Sequence, residues 1–144
     1  MERTLHNGVL AGLGLDGRSC FYVNPLHSRR PVSRQAWYEC ACCPPNLMRL
    51  LASLDHYVAT STAGGIQIHQ FVSGHLRADA GAATFDAELE AGCPGHGGFS
   101  IRVTEGSGGP ADLAIRIPSW ATGLDVTVNG HRGRARPRWL PVSR

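Results

Sequence analysis

Three cysteines stand close together at Cys40, Cys42 and Cys43, and Pro44 and Pro45 follow them directly. A single cysteine usually behaves as a small buried hydrophobic residue. Three thiols this close need another account. They could bind a soft or borderline metal, form disulfides, or supply a reactive thiolate. The spacing alone leaves all three open.

A helix is predicted directly after the thiols, from Asn46 to about Ala59. Proline suits the first turn of a helix, so Pro44-Pro45 is a plausible entry. The apolar residues recur at helical spacing on one face: Leu47, Leu50, Leu51, Leu54 and Val58. The start of such a helix would bring backbone N–H groups and its positive end near Cys42 and Cys43, which favours thiolate.

The segment before the thiols is predicted to begin with a helix over residues 2 to about 15, with a turn at Asp16-Gly17. A short apolar run follows at residues 21–23. Residues 27–36 are polar and rich in arginine, so they are predicted to be a loop.

Beyond residue 63 the hydrophobic period changes to two, which is typical of strands. Glycine- and proline-rich turns separate short alternating runs, and Asn129-Gly130 is a strong hairpin signal. Evenly spaced strands of this kind predict an antiparallel β-sandwich, with Trp120 in its core. The fold class is therefore α+β by segments, with a helical part over residues 1–62 and a β-sandwich over 63–144.

Composition excludes several functional classes. The 144 residues carry a net charge of only +3, and their basic residues are not interleaved with aromatics, so no nucleic-acid partner is predicted. No apolar run approaches the ~20 residues of a membrane span, and no signal peptide is visible. Five cysteines, three of them crowded, favour a reducing compartment, so a cytoplasmic location is predicted.

Several stretches carry a resemblance to a known family. The stretch Glu2–Gly12, the block Phe21–Leu26 and above all the motif Cys40–Asn46 resemble the beta-L-arabinofuranosidase family, glycoside hydrolase family 127. Ile115–Trp120 and Val126–Gly130 resemble its β-domain. The resemblance implies the last helices of an (α/α)6 barrel followed by part of an antiparallel β-sandwich, truncated at both ends. Family members are several times longer, so the chain alone is expected to be inactive.

The resemblance also implies a mechanism. Family members are retaining glycosidases with a cysteine nucleophile and a zinc ion. Matched onto this chain, Cys42 would be the zinc-bound nucleophile, Cys43 and Cys20 further zinc ligands, and Glu2 the general acid/base. The substrate would be an oligosaccharide or glycoconjugate that contains L-arabinofuranoside. Arg18 stands where the family places a zinc-binding carboxylate, and arginine cannot ligate a metal, so that ligand is unassigned.

A second reading is a zinc- or thiol-stabilised structural or carbohydrate-binding module without catalysis. The two readings differ in the role of Cys42, since replacing it stops turnover only under the first. Cys40 is expected to be a bystander, and Cys93, in a glycine-rich turn, to have no function. Trp37 and Tyr38 could stack on a sugar or pack in the core.

Overall fold

The computed structural model describes residues 1–23, 25–92, 95–134 and 139–142, the last four and residue 134 by their backbone only. The chain divides into two compact units, Met1–Leu54 and Asp55–Arg144. In the described ranges, no helix is both long and apolar enough to cross a membrane. The predicted inertness of Cys93 lies outside the described residues.

The first unit opens with a helix that changes its winding along its length. An α-helical turn, α1 (Glu2–Thr4), continues into a π-helical turn (Leu5–Val9) and a 3-10 turn (Leu10–Gly12). The prediction extended this helix to about residue 15, but Leu13 is already extended, with φ −90° and ψ 140°. The reason is that the chain turns back: the N–H of Gly14 donates to the carbonyl of Ser19 at 2.7 Å. Gly17, with φ 66°, occupies the predicted turn.

Cys20 sits at the centre of a small backbone junction. It pairs with Leu13 on one side and with Gln35 on the other, both antiparallel. The Cys20–Gln35 pair exchanges two hydrogen bonds of 3.0 Å. The predicted loop over residues 27–36 is thus confirmed except at Gln35. The pairing of Gln35 with Cys20 joins the segment that precedes the thiols to the segment that follows the first helix.

The second helix, α2, spans Cys43–Ala52, so it begins and ends earlier than predicted. It starts earlier because both prolines fit within the first turn, where a missing N–H costs no helical bond. It ends earlier because the Ser53 backbone N–H and hydroxyl both donate to the carbonyl of Leu50, each at 3.1 Å. Such local bonding competes with helix continuation. A 3-10 turn, Leu54–Tyr57, follows.

The described residues of the second unit form nine strands. They are β1 (Ala59–Thr62), β2 (Gly65–Ile68), β3 (Gly74–Ala80), β4 (Ala83–Ala91), β5 (Phe99–Ser107), β6 (Asp112–Arg116), β7 (Asp125–Val128), β8 (His131–Arg134) and β9 (Trp139–Val142). They form sheets in the orders β1-β2-β6-β9, β3-β4-β5 and β7-β8. The expectation of a purely antiparallel arrangement is wrong at one pair, because β2 and β6 run parallel. Residues 59–62, predicted to lie in the helical part, form β1 instead.

The core lies between the two larger sheets. Ile66 and Ile68 from β2 cluster with Ala80 from β3 and Leu89 from β4. Ile68 is fully buried and Ile66 is 2% exposed. The two isoleucines share one face of β2, in agreement with the strand period of two predicted beyond residue 63. The predicted core position of Trp120 is wrong, because the residue is 49% exposed. It lies in a turn that is closed by a hydrogen bond from the N–H of Ala121 to the carbonyl of Pro118.

The hairpin predicted at Asn129-Gly130 is confirmed. Asn129 (φ 50°) and Gly130 (φ 84°) join β7 to β8. Positive φ at both central residues is what a two-residue turn needs to match the twist of its strands.

Candidate active site

The thiols lie at the start of α2. Cys42 is the N-cap residue of the helix, and Cys43 is its first helical residue. The four cysteines among the described residues are free thiols, with Cys40, Cys42 and Cys43 exposed and Cys20 half-buried. The described residues therefore present a cluster of accessible thiols and no disulfide.

Cys42 has the richest set of contacts in the cluster. Its sulfur lies 3.0 Å from the hydroxyl oxygen of Tyr22 and 3.5 Å from the sulfur of Cys43. Its backbone N–H donates to the carbonyl of Cys40 at 2.9 Å. The side-chain amide of Asn46 donates to the carbonyl of Cys42 at 3.1 Å. Backbone and side chain of Cys42 are both held, although the residue is exposed.

These contacts separate the ionisation of the two adjacent thiols. The pKa of Cys42 is lowered from its ordinary value, first by the hydrogen bond from the Tyr22 hydroxyl and then by that from the Cys43 thiol. The pKa of Cys43 is raised, mainly because its own thiol is held as the donor to Cys42. The pKa of Tyr22 is also raised, mainly by its hydrogen bond to Cys42. Cys42 is thus the thiol that ionises first, with Tyr22 and Cys43 as protonated donors.

Two tyrosines connect Cys42 to the junction at Cys20. The rings of Tyr22 and Tyr38 pack with their centroids 5.2 Å apart at 50°. The Tyr38 hydroxyl donates to the carbonyl of Cys20 at 2.7 Å and accepts from the backbone N–H of Tyr22 at 3.1 Å. Tyr38, predicted to line a sugar subsite or pack in the core, is half-buried and ties two segments together.

The predicted site residues are only partly brought together. Cys42 and Cys43 are in contact, and their 3.5 Å separation is close to the about 3.8 Å expected for two sulfurs on one tetrahedral zinc with Zn–S bonds of about 2.3 Å. Across the described residues, however, no group of three or more His, Cys, Asp or Glu side chains is placed to hold a metal. Within the described residues the pair fits two corners of a zinc site.

The Cys40 thiol lowers the pKa of Cys42 less than Tyr22 and Cys43 do. Its expected role as a bystander stays a prediction. Glu2 lies in the first turn of α1 and is half-buried. Its role as acid/base and that of Cys20 as a ligand stay predictions.

Arg18, at the position where a zinc carboxylate was expected, is exposed in the turn after the first helix. The nearby Asp16 carboxylate is already engaged there. It accepts from the backbone N–H groups of Arg18 and Ser19, at 2.9 and 3.1 Å, and these bonds lower the pKa of Asp16. This turn supplies the backbone conformation that returns the chain to Cys20.

Sequence reasoning missed Tyr22, because residues 21–23 read only as an apolar run. Its distance from Cys42 along the chain hides the contact, and no local pattern marks a tyrosine hydroxyl as a thiol partner. Asn46 carried a weak signal, since asparagine near a helix start often bonds to the backbone.

Comparison with known proteins identifies the family. Residues 1–56 match the family model described as beta-L-arabinofuranosidase, GH127 catalytic domain. Residues 65–144, more than half of the chain, match the model of the GH127 middle domain. The chain belongs to glycoside hydrolase family 127. The two matched regions meet between residues 56 and 65, near the division into units after Leu54.

Relatives of this glycoside hydrolase family 127 chain are similar throughout its length. A non-reducing end beta-L-arabinofuranosidase of Bifidobacterium longum subsp. longum is 33% identical over 90% of this chain and 22% of its own length. The crystal structure of a GH127 beta-L-arabinofuranosidase from Geobacillus stearothermophilus T6 is 34% identical, with a TM-score of 0.84, over 100% of this chain and 25% of that one. A further GH127 beta-arabinofuranosidase structure is 30% identical, with a TM-score of 0.81 over 99% of this chain and 25% of that one. The chain thus spans about a quarter of the length of these relatives.

Proposed function

We propose that this chain carries the nucleophile of a retaining beta-L-arabinofuranosidase and that the nucleophile is Cys42. Membership of glycoside hydrolase family 127 and two relatives described as beta-L-arabinofuranosidases support the activity. The observation that carries the residue assignment is the hydrogen bond of 3.0 Å between the Tyr22 hydroxyl and the Cys42 sulfur. An exposed thiol with a lowered pKa at a helix N-terminus is suited to attack.

The reaction takes two displacements. In the first, the Cys42 thiolate attacks the anomeric carbon, and a carboxylic acid protonates the departing glycosidic oxygen. This forms a thioglycosyl bond as the glycosidic bond breaks. In the second, the resulting carboxylate takes a proton from water, whose oxygen attacks the same carbon and releases the thiolate. Two inversions retain the configuration.

Glu2 is the carboxylate that the family resemblance assigns to this role. The assignment of Glu2 rests on that resemblance alone and is independent of the assignment of Cys42. Its failure would leave the nucleophile assignment intact, because Cys42 is supported by its own contacts.

Zinc is proposed to bind at the Cys42–Cys43 pair, with Cys20 as the further thiolate that the resemblance implies. A bound zinc ion stabilises thiolate over thiol. The sulfur separation of 3.5 Å within the pair supports this proposal. What the chain's own residues contribute is the placement of the two thiols by the helix start and the protonated donors that face Cys42.

The rest of the catalytic centre is proposed to come from parts outside this chain. The helical unit would be the end of an (α/α)6 barrel, and the β unit part of the sandwich that follows it in sequence. Because the chain spans about a quarter of its relatives' length, most of the sugar pocket is absent. The 144 residues alone should therefore not hydrolyse an aryl L-arabinofuranoside. Free thiols also suit a reducing compartment, so a cytoplasmic location is proposed.

The assignment of Cys42 is tested with Cys42→Ser in a full-length protein that carries this chain. Loss of a nucleophile typically lowers kcat by far more than about 10³-fold, so a fall of at least about 10³-fold is expected. A sugar adduct on Cys42, found by peptide mapping after an acid quench, should be missing from the variant. Cys40→Ser is the matched control, and the sugar adduct on Cys42 should still form in it. Near-normal turnover by Cys42→Ser would remove the nucleophile assignment.

Two measurements on the unmodified full-length protein separate hydrolysis from a structural role. A zinc- or thiol-stabilised module predicts that no glycoside is cleaved by the unmodified protein and that zinc removal only lowers its melting temperature. Zinc content should be measured in parallel for the Cys20, Cys42 and Cys43 variants.

A further inference from the structure

The Tyr38 hydroxyl makes two hydrogen bonds to the backbone of one neighbouring segment, one as a donor and one as an acceptor. It donates to the carbonyl of Cys20 at 2.7 Å and accepts from the N–H of Tyr22 at 3.1 Å. Both bonds are within the normal range for their types. A single phenol therefore fixes the backbone on either side of the Cys20–Tyr22 step.

Tyr38 lies on the segment that leads into the thiols, whereas Tyr22 lies on the segment that leaves the first helix. The two segments are already joined at Cys20 and Gln35 by two backbone bonds of 3.0 Å. The Cys20 carbonyl accepts from both Gln35 and Tyr38, so both of its lone pairs are used. Gln35 secures Cys20, and Tyr38 extends that attachment to Tyr22.

The ring of Tyr38, like its hydroxyl, contacts Tyr22. It packs against the ring of Tyr22 with centroids 5.2 Å apart, a favourable separation for aromatic pairs. Tyr22 is 39% exposed, so burial alone does not hold its side chain. Its hydroxyl nevertheless lies 3.0 Å from the Cys42 sulfur.

We propose that Tyr38 is a positioning residue that holds Tyr22 against Cys42, through one hydroxyl bonded to the backbone of residues 20 and 22 and one ring packed on the Tyr22 ring. Its significance for catalysis rests on the proposed function of Cys42. The positioning itself does not, since it concerns where the Tyr22 hydroxyl lies.

A double-mutant cycle on the 144-residue chain tests this. The variants are Tyr38→Phe, Tyr22→Phe and the pair, each of which keeps the aromatic ring. The readout is the alkylation rate of Cys42 by iodoacetamide, resolved from Cys40 and Cys43 by tandem mass spectrometry. Tyr38→Phe should slow Cys42 alkylation by about threefold to tenfold, the size of one lost hydrogen bond. In the Tyr22→Phe background it should have no further effect, because residues acting through one contact are not additive.

The cycle distinguishes positioning from general support of the fold. A merely structural role would give equal fractional losses in both backgrounds, and that result overturns the proposal. So does an unchanged alkylation rate in Tyr38→Phe. Tyr57→Phe, in the 3-10 turn of the other unit, is the matched control and should leave the rate of Cys42 unchanged.

Amide exchange in the unmutated chain gives a second test that no folding defect can obscure. The Tyr22 N–H should exchange at least about tenfold more slowly than in an unstructured peptide, because it donates to Tyr38. Exchange at the unstructured rate overturns the proposal. Both measurements stand whether or not the full-length protein hydrolyses arabinofuranosides, so failure of positioning and failure of the proposed function are distinguishable.

Discussion

The hydroxyl oxygen of Tyr22 lies 3.0 Å from the sulfur of Cys42, although the two residues belong to different segments of the first unit. This contact lowers the pKa of Cys42 and raises that of Tyr22. The Tyr22 hydroxyl therefore stays protonated while the cysteine ionises, which makes it the donor of this hydrogen bond. A hydrogen-bond donor at the sulfur of a cysteine near a helix start favours the thiolate form of that cysteine.

Tyr22→Phe should raise the pKa of Cys42 toward its ordinary value, because the largest contribution that lowers it is removed. Below the ordinary pKa of a cysteine the variant then holds less thiolate, so Cys42 alkylation slows. Well above that pKa both proteins are ionised and their rates converge. The measurement is the pH profile of iodoacetamide alkylation at Cys42, and coincident profiles would contradict it.

Cys42 should react before Cys43 under limiting reagent at neutral pH. The pKa of Cys42 is lowered and that of Cys43 is raised, so the thiolate is concentrated on Cys42. In Cys42→Ser the sulfur that holds the Cys43 proton is gone, and the Cys43 pKa should fall. Labelling resolved by tandem mass spectrometry measures both effects, and equal labelling of the two thiols in the unmutated chain argues against this order.

Glu2→Gln in the full-length protein should lower kcat by about 10²–10⁴-fold if Glu2 is the acid/base. A substrate with a good leaving group needs little protonation, so its first displacement should be spared, and added azide should restore turnover by replacing water. Glu105→Gln, exposed on β5, is the control. Full activity of Glu2→Gln would assign the acid/base to another carboxylate.

Ile68→Ala should lower the free energy of unfolding of the chain by about 2–5 kcal/mol, the usual range for a buried isoleucine. Ile68 is fully buried where the two larger sheets pack, so the deletion leaves a cavity. Val128→Ala removes an apolar group that is 38% exposed in the hairpin and should cost much less. Urea unfolding measures both, and equal losses would show that the core does not lie at β2.

Gly65→Ala should also destabilise the chain, by about 1–3 kcal/mol, because overpacking forces the backbone apart. A Cβ at Gly65 would overlap the backbone of Asp112, its partner in the parallel pair β2–β6. Gly64→Ala is a close control, since a Cβ there meets nothing within 4 Å. The difference in melting temperature between these two variants tests the parallel pairing directly.

The parallel pairing was beyond reach of sequence reasoning. Alternation of apolar residues reports which face of a strand is buried, but not which strand lies beside it or in which direction. The alternation beyond residue 63 therefore indicated strands whose apolar residues share one face, as Ile66 and Ile68 do, while the neighbour of β2 was not predicted. Trp120 failed for a related reason, since an aromatic residue beside a proline does not reveal whether its turn is covered.

Sequence alone determined the features that depend on residues adjacent along the chain. The thiol motif, the helix start imposed by Pro44 and Pro45, and the Asn129-Gly130 turn follow from local covalent geometry and backbone preference. Tertiary structure alone decided which side chain meets the Cys42 sulfur. That side chain is Tyr22, brought to Cys42 by the Cys20–Gln35 pairing and the Tyr38 contacts, and a hydrogen bond between segments distant along the chain leaves no local pattern.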